Sequence, residues 1–314
     1  MKSALERRDF LLQSLRMGVT LSLAGAASGG FLGALSRRGK ETFDVAAVAG
    51  NDYAACASAA VGLVGGMEKF VPKHSRVALF PNVQSSHPGT FTNAEVVRAA
   101  IRLCRQAGAA EINLLSWQAM KNWESTGLAR IAADEGAGLR LIAREETNFR
   151  AVPVPKGKAL REARLLNALF DHDVLINMPV TKDHAGNKFT GTMKNLMGLN
   201  SPASNRGFHK EKWQTDPGAI EYLDQCIADL NTVVRPALCI VDATEFIITN
   251  GPFGPGELLK PKKVVAGVDR VAVDAYCASL WGLKAEDIFM IRRGHEHGLG
   301  EMRLAGVNIK QSTV

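Results

Sequence analysis

The chain has few aromatic residues, 6% of its 314 positions, and it lacks the short motifs that identify many enzyme classes. It contains no C-x-x-C pair, no phosphate-binding G-x-x-x-x-G-K-[ST] loop and no G-x-G-x-x-G dinucleotide fingerprint. Its five cysteines are widely separated, at Cys56, Cys104, Cys226, Cys239 and Cys277. Because an iron–sulfur cluster needs closely spaced thiolates, we expect no cluster bound by this chain alone, and we interpret the thiols as small buried side chains.

The net charge of +7 comes largely from the amino-terminal part of the chain. Residues 1–40 carry a net charge of +5, which leaves only +2 for the rest. The rest of the chain contains no arginine-rich patch and no basic patch interleaved with aromatic residues. We therefore do not expect a nucleic acid as the partner.

Residues 1–40 have the features of a twin-arginine export signal. Arg7 and Arg8 precede Phe10 and two leucines, and an uncharged run at 17–35, rich in Gly, Ala and Ser, follows them. Such a signal predicts that the Tat translocon exports the chain in a folded state. We therefore expect a periplasmic protein, or a protein on the outer face of the cytoplasmic membrane.

The sequence leaves open whether this leader is removed. Small residues at 24–26 and at 47–49 are candidate cleavage sites, although the second site lies inside a predicted strand. The uncharged run at 17–35 has nineteen residues, which is near the lower limit for crossing a bilayer. An uncleaved anchor, with membrane association through residues 17–35, is the alternative.

Residues 41–314 alternate between predicted strands and helices, which indicates an α/β domain. The predicted strands are 43–49, 76–80, 111–115, 139–143, 151–154, 173–177, 237–241 and 264–268. The predicted helices are 53–67, 92–108, 127–135, 160–170, 217–230 and 269–280, and Thr92 and Glu95 match a capping box at the start of the second. These units favour a mostly parallel or mixed sheet with helices on both faces, in one domain or in two α/β lobes. Residues 200–216 are the longest irregular stretch and a candidate lid.

The segment 171–198 carries the densest group of polar residues in the chain. Its short apolar strand, 173–177, is ended by Pro179 and followed by donors and ionisable side chains. In α/β sheets, ligands usually bind where a segment leaves the carboxyl end of a strand. The candidate catalytic residues in this segment are Lys182, His184, Lys194 and Asn195. A solvated connecting loop is the alternative interpretation.

The same segment resembles the central signature of the DUF362 family, whose function is unassigned. The matching blocks are Asn177-Met-Pro179, Lys182-Asp-His184 and Thr192-Met-Lys-Asn195-Leu-Met-Gly198. Further similarity lies in Val77-Ala-Leu-Phe-Pro-Asn82, in Asp242-Ala-Thr through Gly251-Pro-Phe-Gly-Pro255, and in the run from Val264 to Asp274. The resemblance extends over most of the chain after the leader, and it implies the fold of that family but no reaction.

The chain departs from the family pattern at three positions, where Phe80, Val180 and Asp183 replace two lysines and a threonine. If those lysines bind an anion in the relatives, the resemblance implies weaker or different anion binding here. Some relatives carry ferredoxin-like cysteine clusters, and the sequence of this chain contains none.

Two lysines and a glycine-rich loop indicate a site for a small anionic ligand. Lys182 and Lys194 provide point charges, and Asn82 follows the predicted strand 76–80. The loop around Gly254 is rich in Gly and Pro, so its backbone donors are candidates for cradling an anion. A tight structural connection is the alternative for that loop.

Imidazole and carboxylate side chains at separate strand ends are the usual ligands of a divalent metal. On this basis, His184, Asp242 and Glu245 are the candidate ligands of a divalent metal cofactor. His295 and His297 alternate near the carboxyl terminus, in a predicted loop, and form a second candidate pair.

Two functions are consistent with these features. The first is an exported, metal-assisted enzyme that acts on a small anionic substrate. The second is a non-catalytic factor that binds a cofactor, or an assembly factor that docks to a membrane complex. Export in a folded state is consistent with both, and the sequence identifies neither the reaction nor the metal.

Overall fold

The computed structural model describes residues 42–314, so the leader residues Arg7, Arg8, Phe10 and 17–35 lie outside the described part of the chain. The strands are β1 (Val45–Ala49), β2 (Arg76–Pro81), β3 (Glu111–Ser116), β4 (Gly138–Leu141), β5 (Phe149–Pro153), β6 (Glu162–Leu166), β7 (Val174–Met178), β8 (Leu238–Ala243), β9 (Phe246–Ile247), β10 (Leu258–Leu259), β11 (Lys263–Gly267) and β12 (Ile309–Thr313). The helices are α1 (Tyr53–Leu63), α2 (Ala94–Gln106), α3 (Met120–Ser125), α4 (Leu128–Asp134), α5 (Thr192–Asn195), α6 (Pro202–Phe208), α7 (Pro217–Leu230), α8 (Arg270–Ser279) and α9 (Phe289–Glu296).

Eight of the strands form one sheet, in the order β12-β1-β11-β8-β7-β2-β3-β4. Strand β11 is antiparallel to both of its neighbours, and the other five adjacent pairs are parallel. Strands β5 and β6 form a separate antiparallel pair, as do β9 and β10. The predicted α/β fold with a mostly parallel, mixed sheet is confirmed, and the eight strands share one sheet rather than being divided between two lobes.

Helices cover both faces of this sheet, as predicted, because its central strands are apolar on both sides. In β2, Val77 and Leu79 pack into one buried layer, whereas Ala78 and Phe80 pack into the other. The first layer contains side chains of α1, α2 and α4, and the second contains side chains of α7, α8 and α9. Strands β7 and β8 are buried along their whole length, which explains their nearly continuous apolar sequences.

The five cysteines are free and buried, as expected for small hydrophobic side chains. They lie in α1, α2, α7, β8 and α8. Burial raises the pKa of the Cys104 and Cys239 thiols to about 12. Thiols held neutral in this way are poor nucleophiles and poor metal ligands.

The prediction of a helix at 160–170 is wrong. Residues Glu162–Leu166 form β6, which pairs with β5, and a 3-10 turn follows at Asn167–Asp171. Ala163 and Leu165 are buried while Glu162 is exposed, so burial alternates with the period of a strand. The apolar residues of this stretch are too few to distinguish the two periods from the sequence alone.

Two further expectations about local structure are corrected. The N-cap of α2 is Asn93, whose side chain accepts from the Glu95 amide. Thr92 instead donates its hydroxyl to the Met178 carbonyl at 2.6 Å. The stretch 200–216, predicted to be irregular, contains α6.

The carboxyl-terminal strand β12 was not predicted. It pairs in parallel with β1 at the edge of the sheet, and most of its side chains are exposed. Because those side chains are polar, the apolar alternation that would indicate a strand is missing. Within residues 42–314, no helix is both long and apolar enough to cross a bilayer.

Candidate functional site

A cavity of about 710 Å³ lies at the carboxyl ends of β2 and β3. Its wall includes residues that follow β2, residues that follow β3, the segment after β7 and the region around α6. Three of the predicted site residues from the segment after β7, His184, Lys194 and Asn195, line it together with the predicted Asn82. This is the edge at which α/β proteins commonly bind ligands.

Three buried asparagines form a hydrogen-bonded chain beside the cavity. Asn82 Nδ2 donates to Asn195 Oδ1 at 3.0 Å, and Asn195 Nδ2 donates to Asn177 Oδ1 at 2.8 Å. Asn177 Nδ2 then donates to the Thr192 carbonyl at 2.8 Å. Each amide is fixed in one orientation because each of the three Nδ2 atoms donates to an acceptor in the protein. The two asparagines that line the cavity are therefore held rigidly.

Lys182 lies behind this chain and does not line the cavity. Its side chain is fully buried, and Nζ donates to the Thr90 carbonyl at 2.7 Å and to Asn82 Oδ1 at 3.3 Å. Burial, with a smaller contribution from the charge of Lys194, lowers the pKa of Lys182 to about 7. Lys182, a predicted catalytic and anion-binding residue, is thus placed outside the cavity wall, with its amino group bonded to Asn82 and Thr90.

Lys194 lines the cavity from α5, and only 7% of the residue is exposed. Among residues 42–314, the one hydrogen-bond acceptor of Nζ is Met197 Sδ at 3.7 Å, which is a weak acceptor. Burial lowers the pKa of the Lys194 ammonium, and the Asp224 carboxylate partly offsets this effect. A buried ammonium without an oxygen partner is costly, so this position favours the binding of an anion.

The position of Lys194 is set by Asp274 and Gly191. Asp274 accepts hydrogen bonds from the amides of Thr192 and Met193, the first two residues of α5. A Cβ at Gly191 would collide with Asp274 Oδ1, so this close approach requires glycine. Burial raises the pKa of Asp274 to about 7. The carboxyl group therefore has a structural role at the start of the helix that carries Lys194.

Two histidines of the cavity wall, His184 and His209, have the same tautomer. His184 Nδ1 lies 2.8 Å from the Ala185 carbonyl, and His209 Nδ1 lies 2.7 Å from the Asn205 carbonyl. Because a carbonyl oxygen only accepts, each Nδ1 carries the proton, and each Nε2 of the neutral ring is a bare acceptor. The two rings are stacked, with centroids 6.2 Å apart.

Burial and the charge of Lys194 keep both imidazoles neutral. They lower the pKa of His184 well below its usual value and the pKa of His209 to about 4. The Trp213 ring contacts both imidazoles, with centroids 5.0 Å and 4.9 Å away. The cavity thus presents two neutral imidazoles beside a buried ammonium, which is a set of groups suited to proton transfer on an anionic ligand.

The opening of the cavity is positively charged. The charged side chains of its exposed wall are Arg144, Arg206, Lys210, Glu211 and Lys212. Four cations against one carboxylate in a concave site attract anions and raise their local concentration.

The loop around Gly254 is a tight structural connection. The Gly254 amide donates to the Asn250 carbonyl at 3.1 Å, and the Gly251 amide donates to Asp183 Oδ2 at 2.8 Å. Both amides, including that of the predicted anion-binding residue Gly254, therefore have partners inside the protein. Asp183, which departs from the family pattern, has a structural role through the second of these bonds.

The predicted metal ligands His184, Asp242 and Glu245 are not brought together. Asp242 is buried and accepts from the Asn93 amide at 2.6 Å, and Glu245 pairs with Lys260 at 2.6 Å. Across residues 42–314, no group of three His, Cys, Asp or Glu side chains is placed to hold a metal ion. The two carboxylates therefore have structural partners, and only His184 lines the cavity.

The second candidate pair, His295 and His297, is also used elsewhere. His295 lies in α9 rather than in a loop, and its Nδ1 donates to the Gly300 carbonyl at 2.9 Å. His297 Nε2 lies 2.7 Å from Asp229 Oδ1. The two rings have different partners and do not form a common site.

His209 and Trp213 are the site residues that the sequence did not indicate. They lie in the stretch 200–216, which contains no recognised motif. The available signal was composition, because 205–213 combines three residues of type Lys or Arg with two aromatic residues, Phe208 and Trp213. Basic and aromatic residues concentrated in one short stretch are typical of a binding surface rather than of a connection.

Comparison with known families places this cavity in a recognised domain. Residues 77–279 match the family described as "Domain of unknown function (DUF362)". The chain belongs to the DUF362 family. The match includes Asn82, His184, Lys194 and His209, so the cavity lies in the family domain, and the resemblance inferred from the sequence is confirmed.

This DUF362 protein is also similar to individual known proteins. It is 28% identical over 199 residues to the "Thylakoid-associated protein sll1697" of Synechocystis sp., which covers 60% of this chain and 58% of the relative. Among solved structures, it is similar to the lactate racemase apoprotein from Thermoanaerobacterium thermosaccharolyticum, with 14% identity and a TM-score of 0.47. That likeness covers 83% of this chain and 60% of the racemase chain. The chain thus spans about three fifths of the length of each.

Proposed function

We propose that this DUF362 protein binds a small organic anion in the cavity and catalyses proton transfer on it. The observation that carries the proposal is the environment of Lys194. Lys194 is buried and lines the cavity, and its ammonium group lacks an oxygen partner within residues 42–314. A carboxylate or phosphate group of a ligand would supply that partner, and charge-assisted hydrogen bonds of this kind are the strong ones.

The two imidazoles are the proposed proton acceptors. In the free protein, the charge of Lys194 contributes to the low pKa values of His184 and His209. An anion bound to Lys194 offsets that charge and therefore raises the pKa of both rings. The bases become stronger when the substrate is bound, which brings them closer to the value that suits a general base near neutral pH.

Asn82 and Asn195 complete the proposed site. Their side chains border the cavity, and the hydrogen-bonded chain holds them in one orientation. Asn195 uses both of its amide hydrogens, on the Phe80 carbonyl and on Asn177, so it positions Asn82 rather than binding the ligand through Nδ2. Asn82 Nδ2 has one partner among the described residues and therefore keeps a hydrogen for a ligand oxygen.

A divalent metal does not match the donors of this cavity. Its two imidazoles lie beside a lysine, and no carboxylate among the described residues completes a set of three ligands with them. The proposed chemistry therefore uses the protein's own side chains.

Calorimetry with acetate and with acetamide, which has nearly the same shape but no charge, tests the proposed function. We expect acetate to bind and acetamide not to bind, because the anion is the missing partner of Lys194. Because the bound anion raises the imidazole pKa values, acetate should also be accompanied by proton uptake, which two buffers of different ionisation enthalpy reveal. Equal binding of the two compounds, or no binding of acetate, would contradict the proposal.

We also propose that the chain is exported by the Tat translocon and acts in the periplasm or on the outer face of the cytoplasmic membrane. The support is the sequence pattern of Arg7, Arg8 and Phe10 with the uncharged run at 17–35. Replacing Arg7 and Arg8 together with lysine should leave the protein in the cytoplasm, because the translocon reads the arginine pair rather than its charge. Cell fractionation and immunoblotting provide the measurement.

The leader contains a matched control for this experiment. Arg37 and Arg38 form a second arginine pair, after the uncharged run. Replacing that pair with lysine should leave export unchanged. If both double variants are exported like the wild type, the assignment of the signal is wrong. The fraction recovered with the membrane shows in the same experiment whether residues 17–35 remain as an anchor.

A further inference from the structure

We infer that Lys194 is a nucleophile that forms a reversible imine with the carbonyl group of an anionic aldehyde or 2-oxo acid. This inference rests on the proposed function, because the anionic group is what brings such a substrate into the cavity. It adds the class of substrate and a covalent step, which anion binding alone does not require.

Lys194 differs from the other lysines near the site in the freedom of its amino group. Lys182 is equally buried, but its Nζ is used by Thr90 and Asn82 and does not border the cavity. Lys210 lies over the Tyr222 ring, with Nζ 3.5 Å from the centroid. Within residues 42–314, Lys194 alone combines burial, a position in the cavity wall and an Nζ without an oxygen or nitrogen partner.

The surroundings of Lys194 favour the neutral amine that nucleophilic attack requires. Burial disfavours the ammonium form and lowers the pKa of Lys194. The negative charge of Asp224 raises this pKa, but it offsets the effect of burial only in part. The other titratable groups around it are Lys182, His184 and His209, which are either cationic or neutral. Lysines activated in this way by a desolvated site are the ones that form Schiff bases.

The reaction balances with the groups of the cavity. The Nζ lone pair attacks the carbonyl carbon and forms the C–N bond, while the C=O π electrons move to the oxygen. Nε2 of one imidazole accepts the first proton lost by the amine and passes it to the oxygen, which gives a carbinolamine. It then transfers the second amine proton to the same oxygen, so that the C–O bond breaks, water leaves and the nitrogen lone pair forms the C=N bond. No oxidant or reductant is needed, and hydrolysis with the same water reverses the step.

The cations at the opening give the substrate's anionic group a second binding place. Once Lys194 is neutral, it no longer attracts the carboxylate, and the guanidinium group of Arg206 in α6 attracts it instead. A cavity of about 710 Å³ has ample room for a small 2-oxo acid between these two side chains. Recognition of the carboxylate and attack on the carbonyl are therefore assigned to different residues.

Reductive trapping of the full-length protein with pyruvate and sodium borohydride tests this inference. Borohydride converts an imine into a stable secondary amine, and peptide mass spectrometry locates the adduct. We expect the adduct on Lys194, formed at least roughly tenfold faster than on exposed lysines near neutral pH, because each unit by which the pKa falls gives about ten times more free amine. Acetate should slow the labelling and acetamide should not.

Two variants serve as matched controls. Lys194→Arg keeps the positive charge but cannot form an imine, so the adduct should disappear while acetate still binds. Lys188→Arg changes an exposed lysine that does not line the cavity and should leave the labelling of Lys194 unchanged. Melting temperatures of both variants show that they are folded.

The outcomes separate this inference from the proposed function. An adduct confined to Lys194 supports both. Binding of acetate without any adduct, or an adduct spread over surface lysines, overturns the inference and leaves the proposed anion site standing. If neither acetate binding nor an adduct is found in folded protein, both are overturned.

Discussion

Replacing Lys194 with methionine is expected to weaken the binding of acetate by about 10- to 100-fold, because a buried charge-assisted hydrogen bond contributes roughly 1.5–3 kcal/mol. Methionine keeps most of the length of the side chain and removes its charge. The melting temperature should stay the same or rise, since a buried ammonium without an oxygen partner in residues 42–314 costs free energy in the unliganded protein. Calorimetry and thermal unfolding of the same samples measure the two effects.

Two further variants show whether the loss of acetate affinity is due to the missing charge and whether it is specific to the position of Lys194. Lys194→Arg retains the charge and should bind acetate with an affinity closer to that of the wild type. Lys212→Met removes an exposed cation from the same wall and should have a small effect, because solvent and salt screen it. A Lys194→Met variant that loses affinity and stability in the same proportion would show that Lys194 is structural, and the proposed site would be wrong.

Replacing Lys182 with methionine is expected to flatten the dependence of stability on pH above neutrality. Burial lowers the pKa of Lys182 in the folded protein to about 7, below its value in the unfolded chain. Between these two values the unfolded state binds a proton that the folded state does not, so the free energy of unfolding rises with pH. The slope for one such group is about 1.4 kcal/mol per pH unit, and it should be absent in the variant.

The window for this measurement runs from neutral pH to about 8.5, where the unfolded cysteines begin to titrate. Chemical denaturation of the wild type and of Lys182→Met at several pH values in this window yields the difference in slope. At its upper end the variant should be less stable than the wild type by about 1–3 kcal/mol, because Asn82 Oδ1 and the Thr90 carbonyl lose their donor.

Lys188 provides the matched control, since it is an exposed lysine of the same segment. Lys188→Met should keep the slope of the wild type. Equal slopes for the wild type and for Lys182→Met would show that Lys182 does not titrate near neutrality in the folded protein, which would contradict its assignment as a buried, supporting residue.

The sequence indicated a segment that lines the cavity, but it did not distinguish the positions of the two lysines in that segment. Lys182 and Lys194 have the same side chain and lie in the same polar segment. The chain after β7 folds back so that Lys182 bridges to Thr190, which directs its side chain to the interior, whereas Lys194 faces the cavity from α5. These directions depend on tertiary packing, and a list of residue types along one segment does not contain them.

The other part of the cavity wall comes from a distant segment. His209 lies in a stretch without a motif, and its relation to His184 arises only when the region around α6 packs over the end of the sheet. For the carboxylates, the sequence indicated a ligand role where the structure shows a structural partner. Asp242 was a reasonable metal ligand by residue type, but the amide of Asn93 at the start of α2 uses its side chain.

The positions of the strands could be predicted, because the central strands of the sheet are apolar on both faces. Their parallel or antiparallel directions could not be predicted. The residues of β11 are as apolar as those of a parallel strand, and nothing in a run such as Lys263–Gly267 indicates that it lies antiparallel to β1 and β8. The short strand β6 was mistaken for a helix for a related reason, since its pairing with β5 decides its conformation.

Nitrogen NMR of the histidine rings tests the central claim most directly, because it reports the protonation of each ring nitrogen with and without an anion. Near neutral pH, His184 and His209 of the free protein should each show a protonated Nδ1 and a bare Nε2. Addition of acetate should shift the Nε2 signals of these two rings and leave the exposed His87 unchanged. Rings that are fully protonated in the free protein, or signals that acetate does not change, would contradict the account.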